Sequence, residues 1–167
     1  MLKNNKGITL VTLVITIIVL TILASITTYS GVSAVKNAKY YNAISELKVM
    51  QSKVNEMYED YKNGENEILQ MGVSLEESGK FSQANLAYNT AKENNLNETD
   101  IGSLAEYRYY SSDYIKNELD IDGISYDFLV NINTRSVILV EGVIFNSTTY
   151  YALCQIDGEQ YNVKYEE

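Results

Sequence analysis

Acid–base and nucleophilic chemistry find few candidates in this chain. It contains no His and a single Cys, Cys154. That composition excludes most His/Cys metal sites and every Ser-His or Cys-His nucleophile arrangement. A lone Cys cannot close an intramolecular disulfide. Cys154 therefore reads as a buried strand residue rather than a reactive thiol. Asp120-Ile121-Asp122 and Glu76-Glu77 are acidic clusters, but they lack the ligand spacing of a calcium loop and read as solvated faces. Asn97-Glu98-Thr99 and Asn146-Ser147-Thr148 match the Asn-x-Ser/Thr acceptor pattern. Tyrosine supplies 15 of the aromatic residues and Phe only 3, with clusters at Tyr40-Tyr41, Tyr107–Tyr114 and Tyr150-Tyr151. These clusters read as amphipathic helix and strand surface. Contact of Tyr107–Tyr114 with a neighbouring molecule or a surface ligand is the sharper alternative. No constellation supports an enzyme, and no cofactor or metal is expected.

The charges are unevenly placed. The formal net charge is -9, from 13 bases and 22 acids. The first acid is Glu46, and residues 1–45 carry only Lys3, Lys6, Lys36 and Lys39. The remainder holds 9 bases against 22 acids, a balance of -13. An acidic body repels phosphate, so no nucleic-acid partner is expected. Residues 7–35 carry no charge. Within them Ile8–Ile26 is mostly aliphatic, and at about 1.5 Å per residue such a helix approaches the roughly 30 Å of a bilayer core. The hydroxyls of Thr9, Thr12, Thr16, Thr21 and Ser25 can bond back to the preceding turn. A single membrane span over 8–26 is the expectation, with Lys3 and Lys6 placing the N-terminus in the cytoplasm.

The boundary of this run carries a more specific pattern. Lys6-Gly7-Ile8-Thr9-Leu10-Val11 sets a basic residue and a glycine directly against the aliphatic stretch. It resembles the class III signal of type IV prepilins and pseudopilins, in a Gram-positive, clostridial-like form. The resemblance implies cleavage after Gly7 by a prepilin peptidase, with Lys6, Gly7 and Ile8 as the processing residues. The mature chain would begin at Ile8, usually N-methylated in that family. The aliphatic stretch would then be retained as filament core, through Leu10, Val11, Leu13, Ile15, Ile18 and Leu20. Thr12 occupies the fifth mature position, where the family usually has a Glu that neutralises a neighbour's terminal amine. Thr12 cannot supply that charge, and Tyr29 stands where the family often has Pro. An uncleaved anchor and a signal peptide cut after Val32-Ser33-Ala34 are the alternatives.

A helical pattern continues beyond the uncharged run. Ala43, Leu47, Met50, Val54, Met57 and Tyr61 recur at steps of four and three, an apolar seam on one helix face. Glu46, Lys48, Lys53, Glu56, Glu59 and Lys62 line the other. Asn63-Gly64 is a stop signal. The seam residues Leu47, Met50, Val54, Met57 and Tyr61 are expected to pack the helix on its own head, while a coiled-coil dimer is the alternative. Gly31 is a candidate weak point.

The rest reads as an α+β head. Residues 64–122 form an insertion with short helices at Phe81–Asn94, capped by Ser82, and Ser112–Leu119, capped by Ser112. From Ile124 the period changes to two. Strands are expected around Tyr126–Ile132, at Val137–Val140, at Thr148–Ile156 and around Tyr161–Tyr165, with turns at Asp122-Gly123, Asn133–Ser136 and Asp157-Gly158. They would form an antiparallel meander of three or four strands with one face covered by the long helix.

The domain reading is thus a leader at 1–7 and a long helix at 8–63. That helix divides into 8–26 as membrane and filament core and 36–63 as amphipathic stalk. An insertion at 64–122 and a β head at 123–167 follow. The expected fold is pilin-like and the expected role a structural subunit of a type IV pilus or related extracellular filament. Its partners would be the cell membrane before assembly, the prepilin peptidase and other pilin subunits. Its location would be the membrane and then the cell surface. A minor or tip pilin with a ligand-binding head, a pseudopilin of a type II secretion-like system, and a single-pass anchored surface protein are the alternatives.

Overall fold

The computed structural model describes residues 6–96 and 100–156, and the side chains among them except at 6–11 and 26–30. The chain is α+β and divides into two compact units, Met1–Ala38 and Lys39–Glu167. Helix α1 runs Lys6–Lys62. It continues through Gly31, where nothing lies within 4 Å of an added Cβ. It ends at Asn63-Gly64, where Gly64 takes φ +105° and Gly64 N–H donates to the Tyr61 carbonyl. Glycine bears this left-handed conformation without a Cβ penalty.

The membrane expectation is corrected. Among the described residues no helix is long and apolar enough to cross a membrane. Thr12, Thr16, Thr21 and Ser25 dilute the aliphatic side chains of this helix. The single-pass anchor, its cytoplasmic N-terminus and the cell-surface location all rested on that span and fall with it.

The unit Lys39–Glu167 is built around a three-stranded antiparallel sheet. Its strands are β1 (Arg108–Tyr110), β2 (Phe128–Asn131) and β3 (Ser136–Leu139), in that spatial order. Side chains alternate across a strand, so the register decides which helix each one meets. Tyr110, Phe128, Val130, Val137 and Leu139 share one core with Ala43, Leu47, Met50, Val54 and Met57 of α1. Tyr109, Leu129 and Ile138 share the other with Ala84, Ala87, Tyr88 and Ala91 of α2 (Phe81–Glu93). The three alanines of α2 are fully buried, and such small side chains allow close approach to the sheet. Every residue of β2 and β3 is buried. The sheet is therefore covered on both faces rather than one.

Several elements differ from the sequence reading. β1 comes from the stretch read as an insertion. The strand expected over Thr148–Ile156 stops at Tyr150 and is followed by a 3₁₀ turn, Leu153–Gln155. There the Gln155 Oε1 accepts the N–H groups of Tyr151 (2.6 Å) and Ala152 (3.1 Å). Strand β4 (Val143–Phe145) was not anticipated. It pairs with β5 (Thr148–Tyr150) across Asn146-Ser147, both at positive φ, the backbone of a two-residue hairpin turn. The caps shift by one or two residues. Ser111, not Ser112, caps α3 (Ser112–Glu118) by accepting the Tyr114 N–H, and Lys80 occupies the cap position of α2 without a side-chain bond. The strand expected around Tyr161–Tyr165, the turn at Asp157-Gly158 and the Asn97 acceptor pattern lie outside the described residues.

Gly72 shows how tightly the segment between α1 and α2 is locked to β1. Val73 and Tyr109 exchange both backbone hydrogen bonds, at 2.8 and 2.7 Å. Arg108 donates from Nε to the Met71 carbonyl and from Nη2 to the Gly72 carbonyl. Gly72 has φ +76°, and an added Cβ would lie 2.6 Å from Tyr110 Cε2. Left-handed strain and overpacking then add. Gly72→Ala is expected to destabilise this unit by about 3 kcal/mol, read as a lowered urea midpoint at unchanged slope.

Candidate functional site

The most exposed apolar surface belongs to the N-terminal part of α1. Leu13, Val14, Ile15, Ile17, Ile18, Val19, Leu20, Ile22 and Leu23 all keep about half or more of their surface open, Leu20 the most at 64%. Val32 and Val35 are similarly exposed. The hydroxyls among them are turned inward along the helix. Thr16 Oγ1 donates to the Leu13 carbonyl at 2.8 Å, Thr21 Oγ1 to the Ile17 carbonyl at 2.8 Å, and Ser25 Oγ to the Thr21 carbonyl at 2.7 Å. Each satisfies its polarity within the preceding turn, so the surface offered outward is nearly pure hydrocarbon. Contiguous apolar patches of more than a few hundred Å² mark interaction surfaces. Covering these nine half-exposed aliphatics is worth on the order of 10 kcal/mol.

The sequence-proposed residues fall into three groups. Lys6, Gly7, Ile8, Leu10 and Val11 lie in the first turns of α1 by backbone, and their side chains lie outside those described. Thr12, Leu13, Ile15, Ile18 and Leu20 are exposed on the same helix. Leu47, Met50 and Val54 are fully buried, Met57 nearly so, and Tyr61 packs partly buried at the edge of the same core.

Glu46, expected on the solvent face of the helix, is only 4% exposed. Its Oε2 accepts the N–H groups of Ser125 (2.9 Å) and Tyr126 (3.1 Å). Its Oε1 accepts Ser125 Oγ (2.7 Å) and Asn42 Nδ2 (2.7 Å). Four donors compensate the carboxylate for leaving water. The effect is to pin the loop before β2 to α1. No local pattern announces this, because the partner lies 79 residues away.

Of the tyrosine run Tyr107–Tyr114, Tyr107, Tyr109 and Tyr110 are interior and Tyr114 is half-buried. Tyr107, Tyr109 and Tyr110 are all 9% exposed or less. Tyr107 donates to the Ile101 carbonyl at 2.8 Å and Tyr109 to Asp127 Oδ2 at 2.5 Å. Asp127 also accepts the Ser112 N–H at 2.9 Å, tying β1 to the start of α3. The Tyr110 hydroxyl is buried with no hydrogen-bond partner. Burial raises all three phenols well above the ordinary 10.0, and for Tyr109 the hydrogen bond to Asp127 adds to it. The phenols stay neutral in the folded chain while those of the unfolded chain ionise above pH 10. Stability is therefore full below that pH and falls as pH rises, by up to about 1.4 kcal/mol per pH unit for each of the deeply enclosed phenols of Tyr107 and Tyr110. Urea midpoints should hold from pH 7 to 9.5 and then drop steeply.

The remaining polar candidates are structural or solvated. Cys154 lies in the 3₁₀ turn rather than in a strand, half-buried, with Sγ 3.9 Å from the Ala91 carbonyl; burial pushes its thiol up to about 11. Asp122 pairs with Lys116 at 3.2 Å, both exposed. Glu77 accepts Ser74 Oγ at 2.9 Å. Among the described residues no three His, Cys, Asp or Glu side chains converge to hold a metal. A shallow cleft of about 220 Å³ lies between Leu69, Glu106, Arg108, Tyr110 and Ile132. Arg108 is already committed there to the Met71 and Gly72 carbonyls. No protein-family model, curated protein or solved structure matches the chain.

Proposed function

We propose that this chain is a prepilin-like structural subunit, processed after Gly7 and polymerised through the N-terminal part of α1 into a type IV pilus-like filament. The observation that carries the reading is the exposed, charge-free run of aliphatics from Leu13 to Leu23, with its hydroxyls bonded back into the helix. Such a surface is stable in water only when covered, and packing identical helices side by side covers it at low polar cost. The Lys6-Gly7-Ile8 boundary supports the processing step, with a prepilin peptidase as the partner. The division of α1 fits a pilin-like plan: in Lys39–Glu167 its apolar seam packs on the sheet, while residues 12–25 keep their aliphatics open. The chain performs no catalysis in this reading. Thr12 leaves subunit docking to hydrocarbon contact, without the acidic residue that the family usually carries there.

Two measurements test this together. Intact-mass and N-terminal analysis of the chain from its native cells is expected to find a mature start at Ile8. Sedimentation of that mature chain is expected to show concentration-dependent polymers. A start at Met1 or Val35, or a monomer at every concentration, would remove the reading.

A further inference from the structure

We infer that the β4–β5 hairpin, together with Tyr40 and Tyr41, is a second docking surface for residues 12–25 of another copy of this chain, covering a face that neighbouring helices leave open. The inference rests on the filament reading and assigns its docking partner. Residues 142–156 carry no charged side chain, and neither do residues 40–45. They lie in a part of the chain whose balance is otherwise -13. That uncharged surface mixes the exposed polar side chains of Asn42, Ser45, Asn146, Ser147 and Thr148 with two open apolar ones. Tyr41 is 63% exposed and Ile144 58%.

The aromatic rings brace one another into a platform. Tyr40 stacks on Phe145 with centroids 4.2 Å apart and meets Tyr150 edge-on at 5.4 Å. Tyr41 meets Tyr40 edge-on at 5.5 Å. Rings already held in place lose little entropy on docking, which is why such residues anchor interfaces. A two-stranded hairpin is marginal alone, and the turn Asn146-Ser147 keeps it short and level.

The occupant follows from charge and chemistry. An aliphatic helix laid over the acidic surface would strip water from carboxylates with no compensating partner. Laid over the hairpin it desolvates no ion. Residues 12–25 present such a helix, with nine open aliphatics and no charge. Each chain thus carries one hydrocarbon helix and one neutral aromatic platform, two different surfaces. An interface between unlike surfaces is head-to-tail and propagates from copy to copy wherever its rotation does not close a ring.

Cysteine cross-linking in the assembled full-length chain tests this. One population carries Ile144→Cys and another Val19→Cys, both in a Cys154→Ala background, mixed and treated with a short bis-maleimide. Mixed dimers are expected about tenfold above those from Glu76→Cys with Val19→Cys. Equal yields would overturn the inference while leaving the filament reading standing. In parallel, Tyr41→Asp and Ile144→Asp are expected to cut the sedimenting fraction about tenfold at unchanged thermal melting. Unchanged assembly would overturn the inference. So would loss of phosphatidylcholine-vesicle binding with assembly intact, which would mark the hairpin as a lipid surface. A parent chain that never assembles would overturn the filament reading and this inference together.

Discussion

Leu20→Asp stops the chain from assembling and leaves the unit Lys39–Glu167 folded. Leu20 is the most exposed of the aliphatics on α1, at 64%, so the substitution breaks no contact in the isolated chain. In a packed bundle the same position would bury a carboxylate without a partner, at a cost of several kcal/mol in every subunit. The polymer repeats that cost along its length, so the critical concentration is expected to rise at least about a hundredfold. Sedimentation and light scattering read the effect, and circular dichroism with a thermal melt shows the fold unchanged. Leu20→Met, close in volume and apolar, is expected to assemble normally. Unaltered assembly of the Asp variant would show that this face stays in water.

Glu46→Ala acts in the opposite sense, on the fold rather than on assembly. It removes the acceptor for the Ser125 N–H, the Tyr126 N–H, Ser125 Oγ and Asn42 Nδ2. At 4% exposure water replaces little of it. A donor left unmade costs about 1–3 kcal/mol when buried, and water relieves part of that here because Asn42 and Ser125 are exposed. A total near 3 kcal/mol is expected, on the order of 10 °C in Tm. Glu46→Gln retains a single oxygen acceptor and should fall between parent and Ala. If Ala and parent melt together, the carboxylate does not hold the loop before β2.

The contrast between these positions explains what could be read in advance. The apolar seam of α1 was legible because its spacing is local and its residues are aliphatic. The uncharged run of residues 7–35 was legible for the same reason, though its length alone suggested a bilayer span that the described helix does not support. Glu46 sits beside Leu47 at the edge of the seam, and its burial depends on donors that arrive from Ser125 and Tyr126. No periodicity encodes that. β1 was hidden because Arg108-Tyr109-Tyr110 is three residues long and pairs with β2 across α3. Its tyrosines also resembled surface residues, whereas α2 and α1 cover both faces of the sheet. The hairpin at Asn146-Ser147 did leave a signal, an Asn opening a two-residue loop between β-branched and aromatic residues. The same three residues, Asn146-Ser147-Thr148, also match a modification pattern, which masks the turn. The candidate site divides likewise: the exposed hydrocarbon was visible in composition, but the aromatic platform emerged only once Tyr40 and Phe145, 105 positions apart in sequence, were seen stacked.

Electron cryomicroscopy of polymers formed by the chain beginning at Ile8 tests the central claim most directly. The account predicts filaments whose core contains residues 12–25 of neighbouring copies, packed with helix axes about 8–10 Å apart. Filaments with those residues facing solvent, or a chain that stays dispersed, would contradict it.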